Sequence, residues 1–260
     1  MLGVMLVFVR TLAVEPLLEH SRKFGDTLNV LEPFIAVGNS NVLILLMPCV
    51  FMILVSDYPQ ITKNTLMAMP RIGRIKWYVG QIAFRFCAIG SFLTIMFLGG
   101  VVVSKGHFST KWSDVVTKYG CQFPEEAESF ASRLLPSNLY NQMSIINTLF
   151  HTIFLLGLYL LLLSEVMSLF QLLQLQPYGI IAVIIVMALG MVSCSLNLKC
   201  MWIFPLANSM IGIHFDKIFS SLRMPIWYSY AYFLALNFSL EFMNFCCVKK
   251  LHFLDMERII

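Results

Sequence analysis

Apolar residues in this chain are gathered into long blocks that polar stretches separate, without the regular alternation typical of half-buried strands. A helix needs about 20 mostly apolar residues to cross a bilayer. The blocks predict six membrane-spanning helices, at about residues 1–14, 41–56, 78–103, 145–167, 178–196 and 226–248. The expected fold class is therefore all-α. We expect one transmembrane domain over residues 1–260, a polytopic membrane helical bundle.

The second of these blocks is short for a full crossing. The apolar residues 34–37 just before it are expected to lengthen it, and Pro48 is expected to kink it. Membrane helices tolerate such a proline because neighbouring groups satisfy the backbone that it frees.

Three polar stretches between the blocks differ in character. Residues 57–77 are basic, whereas residues 104–142 carry charges of both signs and predict an ordered external loop with short helices. Residues 197–225 are too apolar for a free loop and too interrupted for a span. They predict a re-entrant or interfacial segment before the last span.

The positive charges predict the orientation of the helices, because cytoplasmic loops are enriched in Lys and Arg. The stretch 57–77 and the end of the last span both fall in the cytoplasm. Their basic residues are Lys63, Arg71, Arg74, Lys76, Lys249 and Lys250. Residues 15–40, 104–142 and 197–225 then lie outside, although Arg22 and Lys23 in the first of these favour the opposite orientation.

Composition excludes a soluble globular protein. Hydrophobic residues make up 58% of the 260 residues and charged residues only 12%, about half the share of a soluble domain. We therefore expect a multi-pass protein of the cell membrane, in contact with the lipid bilayer. The net charge of +4 does not indicate a nucleic-acid partner. The sequence leaves open whether Cys121 and Cys200, both expected outside, form a disulfide.

Common catalytic motifs are missing from the sequence. It contains no G-x-x-x-x-G-K-[ST] phosphate loop, no H-E-x-x-H zinc motif and no G-x-S-x-G nucleophile motif. We therefore expect neither an enzyme nor a cofactor or metal on this chain. His151, inside the fourth span, is interpreted as a packing or interhelical hydrogen-bonding residue.

Acidic and basic residues are rare within the predicted spans, where a charge is costly and usually functional. Arg85, Glu165 and Glu241 all lie in the inner half of the bilayer. We expect Arg85 to pair with Glu241, or alternatively with Glu165. Two further interpretations stay open: snorkelling of the long side chains to the headgroups, and contact with a transported substrate.

The stretch from Asp57 to Lys76 mixes apolar residues with its charges and predicts a short amphipathic helix along the membrane face. Such a helix has two interpretations. It is either a basic loop that touches anionic lipid or a docking element for a cytoplasmic partner.

Several short motifs around this stretch resemble a known family. L-E-P-F at Leu31–Phe34 precedes the second span and D-Y-P at Asp57–Pro59 closes it. Asn64-Thr65, R-I-G-R-I-K-W at Arg71–Trp77 and Gln81 lead into the third. These motifs, between about residues 28 and 85, and the six-span layout resemble permease subunits of bacterial type-2 ATP-binding-cassette (ABC) exporters.

The resemblance implies that transport and ATP hydrolysis are carried out by different subunits. A second permease subunit, identical or different, completes the transport pathway, and a separate cytoplasmic ABC ATPase binds ATP and Mg²⁺ and hydrolyses the ATP. The segment between the second and third spans is implied to dock on the ATPase and to couple ATP hydrolysis to transport. Its matching residues here are Asp57, Pro59, Arg71, Arg74 and Lys76.

Two other classes stay open from the sequence: an ATP-independent secondary transporter or channel, and a structural or regulatory membrane subunit. Aromatic residues in the spans have two interpretations: they pack or form interfacial belts, or they line an apolar path, which would suggest a peptide, a lipid or a hydrophobic compound as the exported substrate. The candidates to line a path are Phe150, Phe154, Phe233 and Phe238.

Overall fold

The structure of the chain is a computed structural model that describes residues 2–55, 58, 71–104, 106–126, 129–216 and 221–250. Every named element in this part of the chain is helical. The α-helices are α1 (Leu2–Val9), α2 (Glu15–Phe24), α3 (Glu32–Asn39), α4 (Leu43–Val55), α5 (Arg74–Ser104), α6 (Asp114–Gln122), α7 (Phe130–Leu134), α8 (Ser137–Tyr140), α9 (Ile145–Leu172), α10 (Gln176–Ser195), α11 (Pro205–Ser209) and α12 (Ile226–Lys250). A π-helical turn, Arg10–Val14, joins α1 to α2. Short 3₁₀ helices cover Pro124–Glu126, Lys199–Ile203 and Ile211–His214.

Four helices in the described residues are long and apolar enough to cross a membrane, namely α5, α9, α10 and α12. The bent pair α3–α4 makes a fifth if it counts as one span. The chain is therefore an all-helical membrane protein. The bounds of α5, α9, α10 and α12 agree with the predicted spans to within a few residues. The first predicted span, residues 1–14, is not among these helices and stays a prediction.

The second predicted span is more complex than its apolar block suggested. Residues 34–37 do not extend α4 in line but belong to α3, which is bent by 88° relative to α4. The break falls after Asn39, where Ser40 adopts an extended conformation, whereas Pro48 lies inside α4. All eight residues of α3 are buried, so packing against α5 and α9 fixes the direction of α3.

Helix α9 is the centre of the bundle. In its most apolar stretch 61% of the residues are buried, against 22–28% in α5, α10 and α12. It packs against α12, α10, α3 and α5. Tyr159 of α9 is fully buried beside Phe233 of α12, with ring centroids 6.4 Å apart. The exposed faces of the other spans are rich in Ile, Val, Leu and Phe, as expected for surfaces that face lipid.

Hydrogen bonds show which ends of the helices lie together. Leu28, after α2, accepts a bond of 3.0 Å from the backbone N–H of His107, after α5. Asn138 donates to the Gly212 carbonyl at 2.9 Å. The described residues of the loops 25–31, 106–144 and 196–225 therefore share one side, which we call the outer side from the predicted orientation. The start of α5 and the end of α12 meet at the inner side.

Two parts of the outer side have the character that the sequence predicted. The described part of the 104–142 loop contains the short helices α6, α7 and α8. The described part of the segment 197–225 contains three short helical turns, Lys199–Ile203, α11 and Ile211–His214, and residues 205–212 are buried. It packs against α9, α10 and α12. Its entry into lipid stays a prediction.

Replacing Gly106 by alanine is expected to lower the free energy of unfolding by about 1–3 kcal/mol, the usual cost of overpacking. An added Cβ would lie 2.1 Å from the Leu28 carbonyl oxygen. This oxygen is backbone and holds the bond from His107, so it cannot move aside cheaply. The thermal midpoint in detergent checks the effect. Gly90→Ala, where nothing lies within 4 Å of the added atom, is the control, and equal midpoints for the two variants would contradict the expectation.

Candidate functional site

A groove of about 510 Å³ opens at the inner side between the start of α5 and the end of α12. Its lining combines apolar side chains with basic ones: Ile72, Ile75, Phe245 and Val248, together with Arg74, Lys76 and Lys249, around Gly73. None of the described lining residues is acidic. We call this feature the inner groove, and its chemistry suits a ligand surface that combines apolar with acidic side chains.

Contacts between α5 and α12 give the inner groove its shape. Arg74 donates from Nη1 to the Lys249 carbonyl at 3.1 Å. The Lys249 ammonium lies 4.4 Å from the centre of the Phe245 ring, within the range of a cation–π interaction. A small core of Tyr78, Leu172 and Val248 packs beneath.

Gly73 sets the direction of the chain as it enters α5. Its φ of +89° lies in the left-handed region, which glycine adopts without steric cost. Its carbonyl then accepts a bond of 3.0 Å from the N–H of Trp77, in the first turn of α5. This glycine separates residues 71 and 72 from α5, and Ile72 lines the groove.

The residues predicted for the coupling segment are only partly described. Arg71 and Lys76 are exposed, and Arg74 is partly buried. Asp57 and Pro59, with most of the stretch 57–77, lie outside the described residues.

A second feature lies deeper in the bundle, where the structure brings Arg85 and Glu241 together. Arg85 Nη2 lies 2.8 Å from Glu241 Oε2. The Tyr78 hydroxyl donates to Glu241 Oε1 at 2.6 Å. The Arg85 side chain is 2% exposed and that of Glu241 28% exposed, so the cation of this pair does not snorkel to water.

Glu165 is near this pair but is not part of it. Among the described ion pairs, Arg85 is joined to Glu241 alone, although the charges of both act on Glu165. Asn244 of α12 donates to the Glu165 backbone carbonyl at 3.2 Å. We call Arg85, Glu165 and Glu241 the charge cluster.

Sequence analysis missed Tyr78 and Asn244 as neighbours of the charge cluster. Helical spacing could have found them. Tyr78 stands seven residues before Arg85, and Asn244 three residues after Glu241, so each lies on the same helix face as the charge.

The sequence also gave no role to a buried carboxylate at the outer side. Glu32, the first residue of α3, is fully buried. Its oxygens accept bonds from the backbone N–H of Ser113 at 2.7 Å, the Ser113 hydroxyl at 2.9 Å and the backbone N–H of Asn29 at 3.1 Å. These bonds tie the start of α3 to the start of α6 and explain a structural need for the glutamate of the L-E-P-F motif.

A further polar network joins the segment 197–225 to α12. The buried His214 Nε2 lies 2.8 Å from the Ser229 hydroxyl, which donates to Asn208 Oδ1 at 2.7 Å. His214 Nδ1 lies 3.0 Å from the Met210 carbonyl. Burial lowers the pKa of His214 to about 4, and the hydrogen bond to Met210 offsets this effect only in part.

The remaining candidate residues have separate surroundings. His151 Nδ1 lies 2.8 Å from the Tyr230 hydroxyl, an interhelical hydrogen bond between α9 and α12. Phe233 is fully buried, so it packs within the bundle and lines no open path. Phe150, Phe154 and Phe238 are exposed.

The described residues contain no group of three or more His, Cys, Asp or Glu side chains that could hold a metal ion. Cys121 and Cys200 are both exposed free thiols. Comparison with known proteins finds no family model, no curated protein and no solved structure that matches this chain. The function must therefore be argued from its own residues.

Proposed function

We propose that this chain is the membrane-spanning permease subunit of an ABC exporter of the type that its motifs resemble. The inner groove is the observation that carries the proposal. A lining that combines apolar side chains with three basic ones suits a helix or loop of an acidic cytoplasmic partner, because complementary charge directs docking. The sequence has no phosphate loop of its own, so the ATP and Mg²⁺ belong to that partner.

The architecture proposed is a bundle of six crossings. Residues 2–14, helical throughout, supply the first crossing, and the bent pair α3–α4 supplies the second. The segment 197–225 returns to the outer side from which it starts, as a re-entrant element does. Two such permease subunits form the transport pathway at the cell membrane.

In the mechanism proposed, ATP closes the partner ATPase subunits, and the stretch 57–77 transmits this motion to α4 and α5. The closed state is favoured because it binds ATP more tightly than the open state does. The exposed phenylalanines of α9 and α12 favour a peptide, lipid or hydrophobic compound as the substrate, since an apolar surface recognises such molecules.

Purification of the protein from its native host in mild detergent tests the proposal. We expect a soluble ABC ATPase to co-purify in stoichiometric amount. Reversing one charge that lines the inner groove and one next to it in the sequence, with Lys76→Glu and Arg71→Glu, is expected to reduce its recovery about tenfold or more, because like-charge contacts cost several kcal/mol. Both side chains are exposed, so the variant should insert and fold normally.

Lys118→Glu, an exposed charge reversal on α6 at the outer side, is the matched control and should retain the partner. Retention of the ATPase by the groove variant would show that docking occurs elsewhere. Recovery of the chain alone, beside membrane complexes that stay intact in the same detergent, would favour an ATP-independent transporter or a structural subunit instead.

A further inference from the structure

The charge cluster carries an inference that does not depend on any ATPase partner. Its three side chains lie well inside the bundle, away from the inner helix ends. Arg85 lies about 16 Å along α5 from Arg74, and Glu165 about 10 Å along α9 from Leu172, at 1.5 Å per residue. Charges at such depths require compensation because lipid and packed protein solvate them poorly.

Charge does not balance in this region if every group is ionised. The helices that pack on α9 bring Arg85 and Tyr78 from α5 and Glu241 from α12. Helices α4, α10 and α11 carry no Asp, Glu, Lys or Arg. The acid of α3, Glu32, is bonded at the outer side. One guanidinium therefore faces two carboxyl groups, which leaves one negative charge in excess.

The hydrogen bonds show which carboxyl group is ionised. Glu241 receives a donor on each oxygen, from Tyr78 and from Arg85, as a carboxylate requires. Glu165 is 2% exposed, and its Oε2 atom is buried without a hydrogen-bond partner among the described residues. A carboxylate oxygen in that position would hold charge with neither water nor a donor to stabilise it.

We propose that Glu165 binds an exchangeable proton and is a neutral carboxylic acid at neutral pH, so that the charge cluster is an intramembrane proton site. One proton from water adds to the Glu165 carboxylate and brings the cluster to zero net charge. The acid also becomes a donor. The Oδ1 atom of Asn244 is a buried acceptor that has no donor among the described residues, on the side chain that contacts the Glu165 backbone.

A proton fits this site better than a metal cation does. The described residues form no set of three acidic, His or Cys ligands. The Arg85 guanidinium acts on Glu165 and would repel a metal ion, whereas a proton forms a covalent O–H bond and needs no coordination shell. Arg85 itself has two buried donors without partners, Nε and Nη1, which further oppose a second cation.

Infrared spectroscopy of the full chain in lipid bilayers tests the proposal. A protonated carboxyl group has a C=O absorption separate from that of carboxylates, and the band shifts when H₂O is replaced by D₂O. We expect wild-type protein at neutral pH to show this band for one buried acid. Glu165→Gln, which keeps the size of the neutral acid, should remove it.

A second variant distinguishes two causes of protonation at Glu165: the excess negative charge of the cluster, and burial of the carboxyl group alone. In Glu241→Gln, Arg85 faces Glu165 alone, so Glu165 should ionise and the band should also disappear. Glu19→Gln, which changes an exposed carboxylate on α2, should leave the band intact. The proposal is overturned if wild-type protein lacks the band, or if the band persists undiminished in Glu165→Gln or in Glu241→Gln.

Discussion

Replacing Arg85 by leucine is expected to destabilise the protein by about 3–5 kcal/mol, the usual cost of removing one partner of a buried ion pair. The substitution removes the guanidinium 2.8 Å from Glu241, the cation that offsets the carboxyl groups of the charge cluster. We expect a lower yield of monodisperse protein and a lower midpoint of thermal unfolding in detergent.

The double variant Arg85→Leu/Glu241→Leu should recover part of this loss, because well-packed apolar residues often replace a buried pair at little cost. Lys118→Leu is the control for charge removal at the surface. Lys118 and Asp114, in the outer loop, form a pair with side chains 64% and 49% exposed, so its loss should cost less than about 1 kcal/mol. A double variant no more stable than the single one would show that the pair is not what holds α5 to α12.

Acidification is expected to destabilise the outer side through His214. Its pKa is about 4 in the folded protein and about 6.5 in an unfolded chain. The unfolded state therefore binds a proton first as the pH falls. The stability that the neutral imidazole retains above pH 6.5 is lost between about pH 6.5 and 4, and His214 has no further effect below that. The shift corresponds to about 3 kcal/mol.

Equilibrium unfolding in mixed detergent micelles, repeated across this pH range, measures how steeply the free energy of unfolding changes with pH. His214→Gln should flatten the slope, even if its stability at pH 7.5 is lower, because no imidazole remains to be protonated there. An unchanged slope in His214→Gln would assign the acid sensitivity to another group.

The apolar blocks predicted α5, α9, α10 and α12 well because lipid requires long runs of apolar residues, a constraint that is local in sequence. The 88° bend between α3 and α4 was not predictable in this way. It follows from burial of α3 against α5 and α9, which are far away in the sequence. An apolar block in the sequence predicts an apolar helix, but it does not predict which other helix that helix packs against.

The residues of the candidate sites also differ in whether the sequence could predict their contacts. Arg85 and Glu241 were predictable as a pair because charges within apolar blocks are rare and their depth can be counted from the helix ends. The environment of Glu165 was not predictable, because it depends on which hydrogen-bond donors the folded chain places beside its carboxyl group. The bonds of Glu32, Asn208 and His214 were also invisible, because single polar residues in mixed segments carry no periodic signal.

The polar bonds of α3 have a consequence for biosynthesis. Asn39, at the end of α3, accepts a bond of 2.8 Å from the Gly212 backbone N–H, 173 residues later in the chain. A ribosome adds about 5–20 residues per second, so the partner is made on the order of ten to thirty seconds after Asn39. Throughout that time α3 lacks this bond, and for most of it the face of α9 against which α3 packs has not been made either. The helix therefore reaches its final position only late, after most of the spans have entered the membrane.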